Sequence, residues 1–294
     1  MRDKIFFSFS VEGKIRMKKQ RLWPNWKINA QKWNNHLKRT IFDIWLFEEL
    51  ESEKQKEANF IVMETVKQIP YGMSNFEDVI MQNRYYVDKT MYIPLLEDQA
   101  NYLIFIRPRR FGKSLLLSMV RSYYDLSQKD KFQQLFGNLW IGQHTTPLQG
   151  KYQILYLDFS KIGGSIDELP QRFDSYSAVQ LDGFLNRYRE YYTDEFIERF
   201  SAADKGIDKL HILDDEARRL GYPLYLIIDE YDNFTNVVLN EKGNEIYRAI
   251  THASGFYRDA FKNYKGMFDR IFMIGVSPVT LDDLSSGYNI GWNI

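Results

Sequence analysis

Two short groups of residues have types and spacing suited to chemistry on phosphate oxygens. The first is Gly112-Lys113-Ser114, preceded by Arg109, Arg110 and Phe111 and followed by Leu115; the second is Asp229-Glu230, at the end of the apolar run Leu224 to Ile228. Glycine at 112 lets the backbone approach a phosphate, because a Cβ there would stand in the way. Lys113 supplies a point charge for β- and γ-phosphates, and the Ser114 hydroxyl suits a place on Mg²⁺. A carboxylate in the place of Asp229 holds that Mg²⁺, usually through its water, while one in the place of Glu230 polarises an attacking water as general base. The two groups together describe binding and hydrolysis of a nucleoside triphosphate.

These residues act together only if the chain brings them to one point. Tyr102 to Ile106 reads as a short buried strand, and Leu115, Leu116, Leu117, Met119, Val120, Tyr123 and Tyr124 make the following segment a helix apolar around most of its circumference. Such a helix is suited to packing between a sheet and a further layer. Strand, loop and helix place the loop at a helix N-terminus, where unpaired N–H groups and the positive end of the dipole converge. The usual phosphate-loop pattern opens with glycine five positions before the Gly-Lys pair, and Arg107 stands there. The bland alternative is a basic turn between a buried strand and a buried helix. Arg109 and Arg110 either lend charge to phosphates or face solvent.

Tyr152 to Phe159 reads as a second buried strand, with Asp158 at its end favoured as a structural carboxylate. Residues 165–222 read as a largely polar helical insertion, which Gly221 closes as a C-cap. Leu224 to Asp232 is a parallel central strand delivering Asp229 and Glu230 to the crevice where ligands bind in open α/β sheets. An amphipathic helix follows over Glu245 to Lys262, then a strand over Arg270 to Val276 ended by Ser277-Pro278. Ser277 there either senses a γ-phosphate or attacking water, or caps a helix beginning near Thr280. Upstream, Asn75 caps a short helix through Met81. Tyr85, Tyr86, Asp88 and Lys89 line a base or ribose pocket or, more in keeping with ordinary usage, are packed and paired.

The 294 residues carry 39 Lys and Arg against 39 Asp and Glu, so net charge argues neither for nor against nucleic acid. The absence of cysteine excludes disulfides and thiolate metal sites and is compatible with a reducing cytosol. His36, His144, His211 and His252 form no ligand spacing, which argues against a zinc enzyme. No apolar run approaches the roughly 18 residues that span a bilayer, and Ile5 to Val11 makes a poor signal peptide, so the default location is cytoplasmic. Residues 1–62 differ from the remainder: they hold four of the six tryptophans, with eleven Lys or Arg against two Asp or Glu over Met1 to Arg39. They read as a poorly ordered or weakly helical extension, or as an arm for nucleic acid or an anionic surface. Residues 63–294 read as one ordered domain.

The segments IPYGMSNF (Ile69 to Phe76), YVDKT (Tyr86 to Thr90), RPRRFGKSL (Arg107 to Leu115), IIDEYD (Ile227 to Asp232) and GVSPVTLDDLSSGYNI (Gly275 to Ile290) resemble the AAA-ATPase-like family of prokaryotic proteins, whose members often carry a C-terminal PD-(D/E)XK nuclease-type domain. The resemblance covers about Val66 onward and accounts for Arg107, because the family's loop resembles RPRRFGKS. It implies an α/β P-loop NTPase of the additional-strand (AAA-like) type, with parallel strand order 5-1-4-3-2 and a helical insertion between the second and third strands. It implies ATP and Mg²⁺ as ligands: Arg109 to Leu115 around the phosphates, Ser114 and Asp229 on the metal, and Lys113, Glu230 and Ser277 in catalysis.

Family members continue past Ile294, so the fifth strand is expected to be missing, leaving Tyr102 to Ile106 at a sheet edge with unpaired backbone groups and turnover weak. No nuclease constellation is present, and a nuclease-type effector is expected only in a longer protein. Arg248, Arg258 and Arg270 are the candidates for a transition-state arginine in cis. The alternative function is a non-catalytic ATP-dependent switch, or a nucleic-acid-associated module of a nuclease or defence-type protein.

Overall fold

The computed structural model describes residues 6–9, 15–18, 67–233, 256–277 and 292–293; the side chains of 6–9, 15–18, 166 and 292–293 are left aside. The chain divides into two units, Met1–Lys67 and Gln68–Ile294. In the first, β1 (Phe6–Phe9) and β2 (Ile15–Lys18) pair antiparallel, with Phe6 opposite Lys18 and Phe9 opposite Ile15. The rest of the extension, residues 1–5, 10–14 and 19–62, lies outside the described residues. FFSF and IRMK are rich in aromatic and β-branched types, and the short connection between them contains Gly13, a hairpin signal.

The second unit begins with two short helices, α1 (Phe76–Met81) and α2 (Ile93–Asp98). Asn75 caps α1, its side-chain oxygen accepting from the N–H groups of Glu77 and Asp78. Strand β3 (Tyr102–Ile106) leads through the Arg107–Phe111 turn into α3 (Lys113–Tyr124), followed by α4 (Phe132–Phe136) and α5 (Trp140–Gln143). After β4 (Gln153–Asp158) come α6 (Leu169–Arg187), α7 (Asp194–Ser201) and α8 (Gly206–Leu220). Gly221 ends α8 with φ +72°, which the missing Cβ permits. Then follow β5 (Leu224–Asp229), α9 (Phe256–Met267), β6 (Arg270–Gly275) and β7 (Trp292–Asn293). Residues 245–255 of the expected helix before β6 lie outside the described residues.

Five strands form one sheet in the order β4-β5-β6-β3-β7, every described pairing being parallel. The short β7 corrects the expectation of a missing fifth strand: Trp292 and Asn293 pair with Leu103 and Ile104 on the outer side of β3. Unpaired N–H and C=O groups on the edge of β3 are a template for an extended segment, and two residues suffice to occupy its middle.

Side-chain alternation sorts the core into two layers. Along β5, Leu224, Leu226 and Ile228 join a cluster with α6, α8 and α9, whereas Tyr225 and Ile227 join a cluster with α1, α3 and α4. All six β5 residues are buried, as a central strand covered on both faces requires. The helices within residues 165–222 share one core with the sheet. This is a mixed α/β fold, and its parallel register brings the C-terminal ends of β3, β4, β5 and β6 to one edge. Among the described residues no helix is long and apolar enough to cross a membrane.

Candidate functional site

The turn leaving β3 is built around two left-handed residues. Gly112 has φ +73°, and the direction in which its Cβ would project is open, so conformation alone selects glycine there. Arg110 adopts φ +69° despite its side chain. A non-glycine residue in this region is strained by about 1–2 kcal/mol, which marks the loop as held by its surroundings. Lys113 opens α3 and is buried, its ammonium donating to the Pro108 carbonyl at 3.0 Å, so it folds back over the loop that precedes it. Arg107 places its guanidinium 4.4 Å from the centre of the Phe105 ring, and its backbone N–H donates to the Gly275 carbonyl. The turn is thereby pinned to β6.

Across the sheet edge, Asp229 is 5% exposed. Its Oδ2 accepts from the Ser114 hydroxyl at 3.1 Å and the Tyr156 hydroxyl at 3.3 Å, and its Oδ1 from the Glu230 N–H at 3.0 Å. Burial pushes the Asp229 carboxyl above the usual range; the Ser114 hydrogen bond pulls the other way, and Asp158, directly opposite on β4, adds to the rise. Glu230 is also raised, first by burial and then by Asp229 and Asp158, while the Arg109 charge opposes the shift. Its backbone is left-handed, with φ +50°. Three carboxylates thus converge at the ends of β4 and β5, beside a lysine and a helix N-terminus.

The structure joins the two sequence groups through Ser114 and Asp229 and brings Arg109 within electrostatic reach of Glu230. Arg110 and Phe111 are exposed on the loop. The Leu115 side chain is partly buried and packs against the core on the α3 side. Ser277 is tied to the turn after β5, its N–H donating to Asp232 Oδ2 at 2.6 Å and its carbonyl accepting from the Tyr231 hydroxyl at 2.6 Å. The alternative role of Ser277 as a cap involves residues outside the described set, as does Arg248.

Arg270 is corrected as an arginine candidate. It is the first residue of β6 and donates to the carbonyls of Leu96 and Glu97, whereas the loop adjoins the last residue, Gly275. The length of the strand, roughly 16 Å at about 3.3 Å per residue, lies between them. Arg258 is buried on α9. Asp88 serves packing: its Oδ1 accepts from the Thr90 N–H and hydroxyl, and its Oδ2 from the Trp140 N–H at the start of α5. Tyr86 meets Phe76 edge-on, with ring centres 5.2 Å apart.

Sequence reasoning missed Tyr156, whose only signal was its place two residues before the end of β4, and the set Tyr231, Asp232 and Gly275. A Cβ at Gly275 would lie 2.4 Å from Tyr231 Cε1 and 2.6 Å from Asp232 Oδ1, so that glycine was legible as a close approach. A cavity of about 650 Å³ lies at the opposite, N-terminal end of the strands, lined by Tyr102, Tyr152, Arg218, Lys265 and Arg270 among others. Its principal polar groups are engaged within the protein: Arg218 with Asp214, Tyr102 with the Lys265 carbonyl, and Arg270 with α2. Volume and chemistry therefore sit at opposite ends, and the converging charges identify the candidate site.

Set against protein-family models, residues 70–285 match the AAA-ATPase-like family, described as "Predicted AAA-ATPase". No curated protein matches the chain.

Proposed function

The chain belongs to the AAA-ATPase-like family, and from that premise we propose that it binds ATP with Mg²⁺ and hydrolyses it at the Lys113–Asp229 site. The observation that carries this reading is the 3.1 Å hydrogen bond between Ser114 and Asp229, which joins a helix-start hydroxyl to a strand-end carboxylate 115 residues away. A hydroxyl, a carboxylate and phosphate oxygens form the donor set Mg²⁺ prefers, since it is held by few protein oxygens and keeps several waters. Among the described residues no group of three or more His, Cys, Asp or Glu could hold a metal by itself, which suits an ion shared with the nucleotide. When bound, Mg²⁺ would neutralise charge on the phosphate oxygens.

In this reading the α3 N-terminus and Lys113 bind the phosphates, Ser114 and Asp229 hold the metal, and Tyr156 orients the Asp229 carboxylate. Glu230 accepts the proton of a water attacking the γ-phosphorus, a role favoured by the raised affinity for protons that burial and neighbouring carboxylates give it. Arg109 adds positive charge beside the same group, and Ser277 is a γ-phosphate sensor. The sheet order β4-β5-β6-β3-β7 supports the additional-strand class, with β3, β4, β5, β6 and β7 as its first to fifth strands.

Titrating ATP against the wild type and Lys113→Ala tests the core of the proposal. The variant is expected to lose about 100-fold in affinity, in line with the roughly 1.5–3 kcal/mol of a charge-assisted hydrogen bond. Equal affinities would refute the proposed role of the loop.

A further inference from the structure

The turn after β5 and the exit from β6 are held together by a connection that none of the assigned roles uses. Two N–H groups, of Val276 and Ser277, point at one carboxylate: Asp232 Oδ2 lies 3.1 Å from the first and 2.6 Å from the second. Asp232 is 2% exposed. The Tyr231 N–H donates to the Ile274 carbonyl, and the Tyr231 hydroxyl reaches past to the Ser277 carbonyl. Gly275 lies where these two side chains cross the β6 backbone, leaving no space for a Cβ. Tyr257 on α9 donates from its hydroxyl to the Tyr231 carbonyl, holding the turn from the other side.

A surface turn needs no such arrangement. A buried carboxylate accepting two successive N–H groups is a charge-assisted contact with defined geometry, and a register error of one residue at the end of β6 would break it. The contact joins Ser277 to a turn whose first residue is Glu230, two positions before Asp232. Glu230 is itself left-handed, a strained conformation that persists only where neighbours fix it.

We infer that Asp232 is a positioning residue: through the N–H groups of Val276 and Ser277 it fixes the β6 exit against the turn bearing Asp229 and Glu230, so that the γ-phosphate sensor and the general base keep one relative geometry. The inference rests on the ATPase reading above for the chemistry of those two residues. The connection itself does not. Its expected signature is a loss of turnover that nucleotide binding does not share, because the phosphate loop is built on β3 and α3 while Asp232 acts on β5 and β6.

The test uses the full chain, with Asp232→Asn as the near-isosteric variant and Gly275→Ala as an independent way to separate the two strands. For each, ATP affinity is measured by titration, turnover is expressed per nucleotide-binding site, and amide proton shifts of Val276 and Ser277 are recorded by NMR. Asp232→Asn is expected to lower kcat about 10- to 100-fold, the loss produced by a displacement of about 1 Å at a reacting centre, with ATP affinity within about threefold. Amide protons donating to a carboxylate resonate downfield; both should move upfield in the variant. Gly275→Ala should reproduce the split between kcat and affinity. Wild-type kcat in Asp232→Asn, or loss of affinity in step with turnover, would overturn the inference. Unmoved amides would overturn it even if ATP proved not to be the ligand, while a wild type that binds no ATP yet shows the amide shifts would overturn only the ATPase reading.

Discussion

The two ends of the parallel sheet carry similar residue types and differ in what holds them. At the N-terminal end, Arg270 donates to the carbonyls of Leu96 and Glu97, Glu97 Oε1 accepts from the hydroxyls of Tyr124 and Thr146, and Asp269 accepts from the Leu224 N–H. Each charge there meets a donor or acceptor of the opposite kind. At the C-terminal end, Asp158, Asp229 and Glu230 crowd together with like sign, and Arg110 and Glu230 hold left-handed backbone. The cavity of about 650 Å³ is at the well-satisfied end. Cavity volume follows from loops that do not meet; stored electrostatic and backbone strain is the better pointer to a site, because only tertiary structure organised for another purpose maintains it.

The sharpest way to break this comparison is to neutralise one charge at each end. Glu230→Gln is expected to lower ATP turnover by about 10²- to 10⁴-fold, the usual contribution of a general base, while ATP affinity is retained and folding stability does not fall. Phosphate release and an ATP titration on the same sample measure this. Undiminished turnover would remove Glu230 from the chemistry and leave a nucleotide-binding switch.

Arg270→Ala should do the reverse. Removing the guanidinium leaves two part-buried carbonyls without their donors, a loss of about 2–6 kcal/mol in unfolding free energy at about 1–3 kcal/mol per unsatisfied group. Turnover per folded molecule should be unchanged. Denaturant titration read beside the same turnover assay decides it, and a selective loss of turnover would mean that the N-terminal end reaches the chemistry after all.

The parts legible in the sequence were those in which local spelling and structure coincide. Gly112 and Lys113 mark a strand-to-helix turn, Asn75 and Gly221 cap helices, and five apolar residues before Asp229 make a buried strand with a carboxylate at its end. What was not legible depends on the partner an element finds. Trp292–Asn293 is too short for any periodicity, so only the open edge of β3 makes it a strand. The Tyr156 hydroxyl reaches Asp229 because β4 and β5 pair in register, which no local pattern states. The place of Arg270 follows from topology alone: in a parallel sheet, the first residue of a strand lies at the end opposite a loop that follows the strands, whatever their order.

The smallest effect is a slope. Burial and neighbouring carboxylates raise Asp229 and Glu230 above the ordinary carboxylate range, so between the unfolded and folded values the native state binds more protons than the unfolded chain. Stability then falls as pH rises through that window and levels off above it, which is the sign that proton linkage requires. Asp229→Asn keeps an oxygen that can accept from Ser114 and Tyr156 but removes the charge, together with its push on Glu230. The ligand-free variant should be more stable than wild type at neutral pH, and the two should converge as the pH falls to where both carboxyls are protonated. Arg270→Ala, which leaves this cluster untouched, should run parallel to wild type across the same range, only lower. Melting temperatures from pH 4 to 8 for the three proteins therefore separate the two ends: if Asp229→Asn also ran parallel, the strain assigned to the C-terminal end would not be electrostatic, and the left-handed backbone at Arg110 and Glu230 would be all that distinguishes it.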